Sequence, residues 1–205
     1  QFTEDEIYHI YNRGVEKLTT FLDEKDYVRF IHDLFEFNDE NPVLNADYRL
    51  EHNNQSLLQP IMARKTRELL VDILTFTLMP NHFHFLIRQK KEAGITKFMH
   101  KLGVGYTLYF NQKYKRVGPL FQGKFKAVHV RREAHAMHVP HYIHANPLEI
   151  KYGNRISIDA VDSALQFLKT YRWSAFPDYV GIKNFPSVTS REFLLDYFEG
   201  EKNML

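Results

Sequence analysis

Hydrophobic and polar positions follow two periods along the chain, one typical of strands and one typical of helices. Stretches rich in alternating β-branched and aromatic residues predict strands over 7–13, 71–78, 82–87 and 120–130. Apolar residues three and four positions apart predict helices over 23–37, 96–114, 134–146 and 157–171, with a short terminal helix over 191–198 capped by Ser190. Because strands and helices are mixed and a short break joins two of the strands, the pattern favours an α+β sandwich built on an antiparallel sheet.

Two stretches interrupt this pattern. Pro140 lies inside the helix predicted over 134–146, so we expect a helix to end or kink there. Residues 38–59 are polar and rich in Asn, which predicts a loop or a surface excursion. Neither stretch changes the predicted fold class, but Pro140 leaves the start of the following helical segment open.

Length and composition limit the class of protein. The chain has 205 residues, which fits one domain or one domain with a modest extension. It contains no cysteine, so disulfides, thiolate metal sites and cysteine nucleophiles are excluded. No apolar run is long enough to span a membrane and no signal peptide is evident, so we expect a soluble, cytoplasmic protein.

Positive charge is concentrated in one part of the chain. The net charge is only +2, yet residues 88–132 contain twelve Lys and Arg against one acid, Glu92, a local charge of +11. Aromatic residues are interleaved with the cations over 105–126, although Tyr106, Tyr109 and Phe110 have the spacing of a helix core. Cations that meet phosphates and rings that stack on bases are typical of proteins that bind single-stranded nucleic acid. A solvated charged face would give the same composition.

Two histidines stand on one face of a predicted strand. His82 and His84 are two positions apart, so their side chains point the same way while Phe83 points to the opposite face. Two imidazoles that converge can bind a divalent metal ion, including Mg²⁺ or Mn²⁺ when a substrate phosphate completes the shell. The alternative is a pair of hydrogen-bonded histidines with no chemical role.

A second pair of functional groups lies on the helix predicted near 134–146. Tyr142 and Asn146 are four positions apart, which places a phenol and a carboxamide one above the other. A free phenol is a weak nucleophile, but it can attack a phosphorus atom that a metal ion polarises. Asn146 could then supply a third metal ligand. The alternative is that Tyr142 packs in the core and Asn146 ends a helix before Pro147.

Five segments, taken together, resemble the insertion-sequence-200-like tyrosine transposases, a family of HUH single-strand nucleases. The subgroup they resemble most is that of the REP-associated tyrosine transposases. The segments are YHIYNRG at 8–14, MPNHFHFL at 79–86, GPLFQGKFK at 118–126, YIHANP at 142–147 and YRWSA at 171–175. They occur in the family's order, and they cover about residues 7–181.

This resemblance implies a fold, a mechanism and a partner. The fold would be a ferredoxin-like sandwich over 1–150, with a loop or insertion at 38–67 and a C-terminal helical extension over 151–205 packed on it. Mg²⁺ or Mn²⁺ would bind His82, His84 and Asn146, and Tyr142 would cut single-stranded DNA to form a 5′-phosphotyrosine link. The partner would be hairpin DNA, and we expect a monomer in preference to a homodimer. The DNA contacts expected from the basic block and its neighbourhood are Arg13, Lys101, Lys113, Lys115, Arg116, Gln122, Lys124, Lys126 and Arg131.

Three other functions remain open at this point. A replication initiator or a relaxase would share the histidine pair, although such nickases commonly need more than 205 residues. A non-catalytic nucleic-acid-binding protein would need the basic block but neither His82, His84 nor Tyr142. A hydrolytic metalloenzyme for small substrates would use the histidines and leave the basic block without a purpose.

Overall fold

One antiparallel sheet of four strands organises the part of the chain that the structure describes. A computed structural model describes residues 2–41, 67–131, 133–153, 155 and 157–198. The strands are β1 (Ile7–Arg13), β2 (Val71–Met79), β3 (His82–Gln89) and β4 (Lys126–His129). Their order across the sheet is β2-β3-β1-β4, and every neighbouring pair is antiparallel. This order is that of a ferredoxin-like fold, with β3 in the interior of the sheet.

The helices connect the strands and then extend beyond the sheet. In chain order they are α1 (Glu24–Glu36), α2 (Gly94–Lys113), α3 (Glu133–Ala145), α4 (Leu148–Tyr152), α5 (Val161–Thr170), α6 (Phe176–Tyr179) and α7 (Glu192–Tyr197). Short 3-10 turns occupy Val15–Lys17 and Ile158–Ala160. Among the described residues, none of these helices is long and apolar enough to cross a membrane.

The two faces of the sheet carry different helices. On one face, the rings of Phe83 and Phe85 lie against Phe30 of α1, and Phe30 in turn contacts Tyr106 of α2. These four rings are almost fully buried, so this side holds the main hydrophobic core. Helix α3 lies over the other face. The predicted α+β sandwich, with helices on both sides of an antiparallel sheet, is therefore confirmed.

A C-terminal segment covers the outer edge of β2. The backbone N–H of Leu78 donates to the carbonyl of Trp173 at 2.8 Å, and Ala175 N–H donates to Phe76 at 2.9 Å. The Tyr179 hydroxyl adds a third bond, to the carbonyl of Leu74. These bonds satisfy backbone groups that an edge strand would otherwise leave open. Residues 173–179 thus pack against the edge of the sheet, and the division of the chain at residue 150 stays a prediction.

Three details differ from the sequence-based expectations. The strand predicted over 120–130 is shortened to β4, because Gly118 and Gly123 adopt positive φ angles that interrupt the extended backbone before it. Helix α3 runs without a break through Pro140, whose missing N–H removes one hydrogen bond of the helix. Ser190 does not cap α7, since its hydroxyl donates to the Asp72 carboxylate at 3.3 Å. Most of the loop or insertion expected at 38–67 lies outside the described residues.

Candidate active site

The histidine pair lies at the start of β3, on the face that α3 covers. The rings of His82 and His84 have their centroids 5.1 Å apart. His84 is flanked by Tyr11 on β1 and Thr77 on β2, because β3 pairs with both strands. Phe83, between the two histidines, is 2% exposed in the core on the opposite face. The two imidazoles therefore sit on an interior strand that is hydrogen-bonded along both sides.

Helix α3 brings the tyrosine and the asparagine to the same place. The Tyr142 ring lies edge-on to His84, with 5.5 Å between ring centroids. One helical turn later, Asn146 Oδ1 is 3.3 Å from His82 Nε2. Tyr142 is 54% exposed, whereas Asn146 is 9% exposed. The structure thus brings together the four residues that the sequence analysis selected, with the phenol open to solvent and the amide enclosed.

Two amide oxygens face the ring nitrogens of His82. Asn81 Nδ2 donates to the carbonyl of Lys17, so Asn81 Oδ1 faces His82 Nδ1, at 2.7 Å. An amide oxygen only accepts, so Nδ1 carries a ring proton, and in the neutral ring Nε2 presents a lone pair 3.3 Å from Asn146 Oδ1. Adjacent ligands of an octahedral ion with bonds of about 2.1 Å lie about 3 Å apart, so these two atoms have the spacing that Mg²⁺ or Mn²⁺ would need.

Burial keeps the imidazoles of this site neutral. It lowers the pKa of His84 to about 3, and the neighbouring His9 and His82 rings act in the same direction. Burial also lowers the pKa of His82. The contact with the Asn146 oxygen acts in the opposite direction, and the nearby charge of Arg13 lowers the pKa further. Neutral rings keep a lone pair for a metal ion near pH 7. No group of three or more His, Asp or Glu that could hold a metal ion occurs in the described residues.

The sequence analysis did not select two further histidines near this site. His9 on β1 has its Nε2 2.9 Å from Nδ1 of His84, and its ring is also 5.9 Å from that of Tyr142. His144 of α3 is buried between the rings of Phe176 and Tyr179. The alternation of His9 with the buried Tyr8 and Ile10 indicates on which face of β1 its side chain lies, but it does not indicate which residue the side chain contacts.

His144 also ties the helix of Tyr142 to the sheet. Its Nε2 lies 3.4 Å from the hydroxyl of Thr75 on β2. Phe176 and Tyr179, which enclose the ring, belong to the segment that covers the edge of β2. The side chain therefore links α3, β2 and the C-terminal segment at one buried point.

Part of the predicted DNA-binding set borders the histidine face. Arg13 ends β1 opposite His82, and the backbone N–H of Gln122 donates to the Arg13 carbonyl at 2.9 Å. Lys126 of β4 pairs with Tyr11, so its side chain shares the face of His9 and His84. Lys124 and Arg131 are exposed on either side of β4. Arg13 and Lys126 therefore form a basic margin on the β1–β4 side of the site. Lys124 instead lines a cavity on the α2 face together with Phe83 and Met99, and Arg131 donates to His129 near the other end of β1.

The remaining predicted contacts lie on or just after α2, which covers the opposite face of the sheet. Lys101 donates to the carbonyls of Asp39 and Asn41, and Lys113 forms ion pairs with Asp23 and Asp26 at 2.8 and 2.7 Å. Lys115, which is exposed, and Arg116, which donates to Asn111, follow the helix. The structure does not bring Lys101 or Lys113 to the histidine face. Both side chains are instead bound to other residues of the protein.

Comparison with known proteins agrees with this geometry. The family described as "Transposase IS200 like" matches residues 30–146, more than half of the chain. No curated protein matches the sequence. A solved structure of a REP-associated tyrosine transposase bound to a REP hairpin is similar to this one, with a TM-score of 0.52 and 11% sequence identity over 90% of this chain and 86% of that one. At this identity the likeness shows a shared fold, and the family match shows descent: the chain belongs to the IS200-like transposase family.

Proposed function

We propose that this transposase is a metal-dependent single-stranded DNA nuclease and strand transferase with Tyr142 as its nucleophile. The observation that carries the proposal is the meeting of an exposed phenol with two neutral imidazoles and an amide oxygen. A non-catalytic DNA-binding protein would have no need for this arrangement. A small-molecule hydrolase would have no need for the basic margin beside it.

The chain's own residues account for the reaction in the following way. The Tyr142 oxygen attacks a phosphorus atom of the DNA, and the bond from phosphorus to the 3′ oxygen breaks. The fragment on the 3′ side of the break stays bound to the tyrosine through its 5′ phosphate, and the other fragment ends in a free 3′ oxygen. The phenol proton passes to solvent, and the released 3′ oxygen takes up a proton. When bound to His82, His84 and Asn146, a divalent cation would polarise the phosphate and offset the charge that develops on it. Attack of a 3′-hydroxyl on the phosphotyrosine reverses the reaction, and with a new strand it gives strand transfer.

Hairpin DNA is the proposed partner. The solved REP-associated transposase of similar fold is bound to a hairpin. In this chain the basic margin of Arg13 and Lys126 borders the site, where it can hold the phosphates beside the cleaved bond. Tyr142 reaches His84 within a single chain, so the proposed working unit is a monomer.

A covalent-adduct assay tests the proposal. With Mn²⁺ and a single-stranded hairpin oligonucleotide, the wild-type protein should form a protein–DNA adduct that survives denaturing gel electrophoresis. Tyr142→Phe should abolish it, while Tyr197→Phe, which changes another partly exposed tyrosine, should leave it intact. Hairpin binding without an adduct would indicate a DNA-binding module. Equal adduct formation on unstructured single strands would indicate a nickase of the replication-initiator or relaxase type, and an adduct in Tyr142→Phe would assign another nucleophile.

A further inference from the structure

We infer that His9 is a positioning residue that accepts a hydrogen bond from Nδ1–H of His84 and so holds His84 in the form that can bind a metal ion. The inference rests on the proposed function, since it assigns to His84 a metal ligand's role. It concerns a side chain that neither attacks the DNA nor supplies a donor atom to the cation. Its action is on the ring beside it.

The geometry that carries the inference is a direct contact between two imidazoles. His9 Nε2 and His84 Nδ1 are 2.9 Å apart, and the two ring planes are inclined by 27°, as in a hydrogen bond between nearly coplanar rings. The β1–β3 register fixes this contact, because His9 is opposite Leu86 and Tyr11 is opposite His84. Tyr11 stacks on His84 at 5.6 Å, which further limits rotation of the ring.

One proton lies between the two rings, and the nitrogen that carries it determines whether His84 can bind a metal ion. If His9 Nε2 carried it, the neutral His84 ring would have its own proton on Nε2 and no lone pair for a cation. If His84 Nδ1 carries it, Nε2 of His84 is unprotonated and free to bind a metal. Imidazoles that bind metals are ordinarily held in this second form by an acceptor on the other ring nitrogen.

The neighbouring histidine shows the same arrangement with an unambiguous direction. Asn81 Oδ1 can only accept from His82 Nδ1, at 2.7 Å, which leaves His82 Nε2 free toward Asn146. His9 occupies the equivalent place next to His84. Each imidazole of the pair thus has an acceptor at Nδ1, one from the turn before β3 and one from β1.

The first test measures the tautomer of His84 in the wild-type protein without metal. Two-bond ¹H–¹⁵N correlation spectra distinguish a ring protonated at Nδ1 from one protonated at Nε2. We expect His84 to be protonated at Nδ1 and His9 to be unprotonated at Nε2. A His84 ring protonated at Nε2 would overturn the inference whether or not the protein cuts DNA.

The second test measures Mn²⁺ affinity by electron paramagnetic resonance in two variants and a control. His9→Leu keeps the bulk but removes the acceptor, and we expect the affinity to fall roughly 10- to 100-fold, the range found when such supporting groups are lost. His9→Gln restores an acceptor and should recover most of the affinity. His129→Leu removes a histidine of β4 that contacts Glu6 and Tyr8 instead, and it should leave Mn²⁺ binding unchanged.

The outcomes separate this inference from the proposed function. Unchanged Mn²⁺ binding in His9→Leu would refute the role of His9 while the wild-type adduct still supports the nuclease. A wild-type protein that binds no Mn²⁺ and forms no adduct would refute the proposed function, and with it the role of His9 toward a metal. If His9→Leu does not fold, the His84 tautomer and the His9→Gln variant still decide the question.

Discussion

Neutralising two cations beside the histidines should weaken DNA binding and reduce its dependence on salt. The variant carries Arg13→Gln and Lys126→Gln, which removes two positive charges from the margin along β1 and β4. Each phosphate contact on a single strand contributes about −0.7 to the slope of log affinity against log salt. If both side chains touch phosphates, the slope should become shallower by about 1.4.

This change in slope has a measurable consequence. Between 50 and 200 mM salt, the wild type should lose about sevenfold more affinity than the variant, since salt rises fourfold and the slopes differ by about 1.4. Fluorescence anisotropy with a labelled hairpin oligonucleotide at four salt concentrations measures both slopes. Circular dichroism checks that the variant remains folded.

A control with the same change in charge is available at the other end of β3. Lys91 and Lys97 are paired with Glu40 and Glu68, far from the start of the strand where the histidines lie. Changing these two lysines to Gln should leave the slope unaltered. Equal slopes for both double variants would mean that DNA does not follow the β1–β4 margin. A smaller slope after changing Lys101 or Lys113 would move the DNA to the α2 face.

Three further predictions follow from single side chains. His84→Ala should abolish metal-dependent adduct formation and leave hairpin affinity within about twofold, because the proposed DNA contacts lie in the basic margin. If gel and anisotropy assays show an equal loss of adduct formation and hairpin binding, His84 does not act in cleavage alone. Tyr106→Phe removes a buried bond to the carbonyl of Thr20 and should cost about 1 kcal/mol in urea unfolding without affecting the adduct. Asp26→Ala removes a fully buried carboxylate that accepts hydrogen bonds from Tyr109, Tyr114 and Lys113. The free energy of unfolding should fall by about 3–5 kcal/mol, and a loss below about 1 kcal/mol would show that this cluster is energetically unimportant.

The sequence predicted correctly those features that depend on the spacing of residues within one strand or one helix. The bounds of β1 are the predicted 7–13, and the i, i+2 spacing placed His82 and His84 correctly on one strand. Helix α3 ends one residue before Asn146, but the Asn146 N–H still donates to the Tyr142 carbonyl at 3.0 Å, so the predicted i, i+4 relation holds. Contacts between distant segments could not be predicted in this way. The partner of His9 is 75 positions away, and its identity depends on the β1–β3 register, which no local pattern encodes.

The basic block shows the same limit for charge. Its composition predicted a polyanion partner, but composition does not reveal which cations the fold itself uses. Lys113 is bound by acids about 90 positions earlier in the chain, and Lys91 by Glu40 and Glu68. The cations that border the site are instead Arg13 at the end of β1 and Lys126 at the start of β4, which lie far apart in the sequence.

The site combines a rigid platform with an accessible nucleophile, and different parts of the fold hold them. His82 and His84 lie on an interior strand, and their Nδ1 atoms are engaged by Asn81 and His9, so the two imidazoles keep fixed positions. Tyr142 projects from a helix that His144 ties to β2 and to the C-terminal segment. In the proposed reaction, a phosphate therefore approaches the phenol from solvent while the imidazoles stay in place, and after attack the phosphotyrosine would remain beside them. Because these side chains need not rearrange between the proposed forward and reverse steps, one arrangement can serve both cleavage and rejoining of a strand.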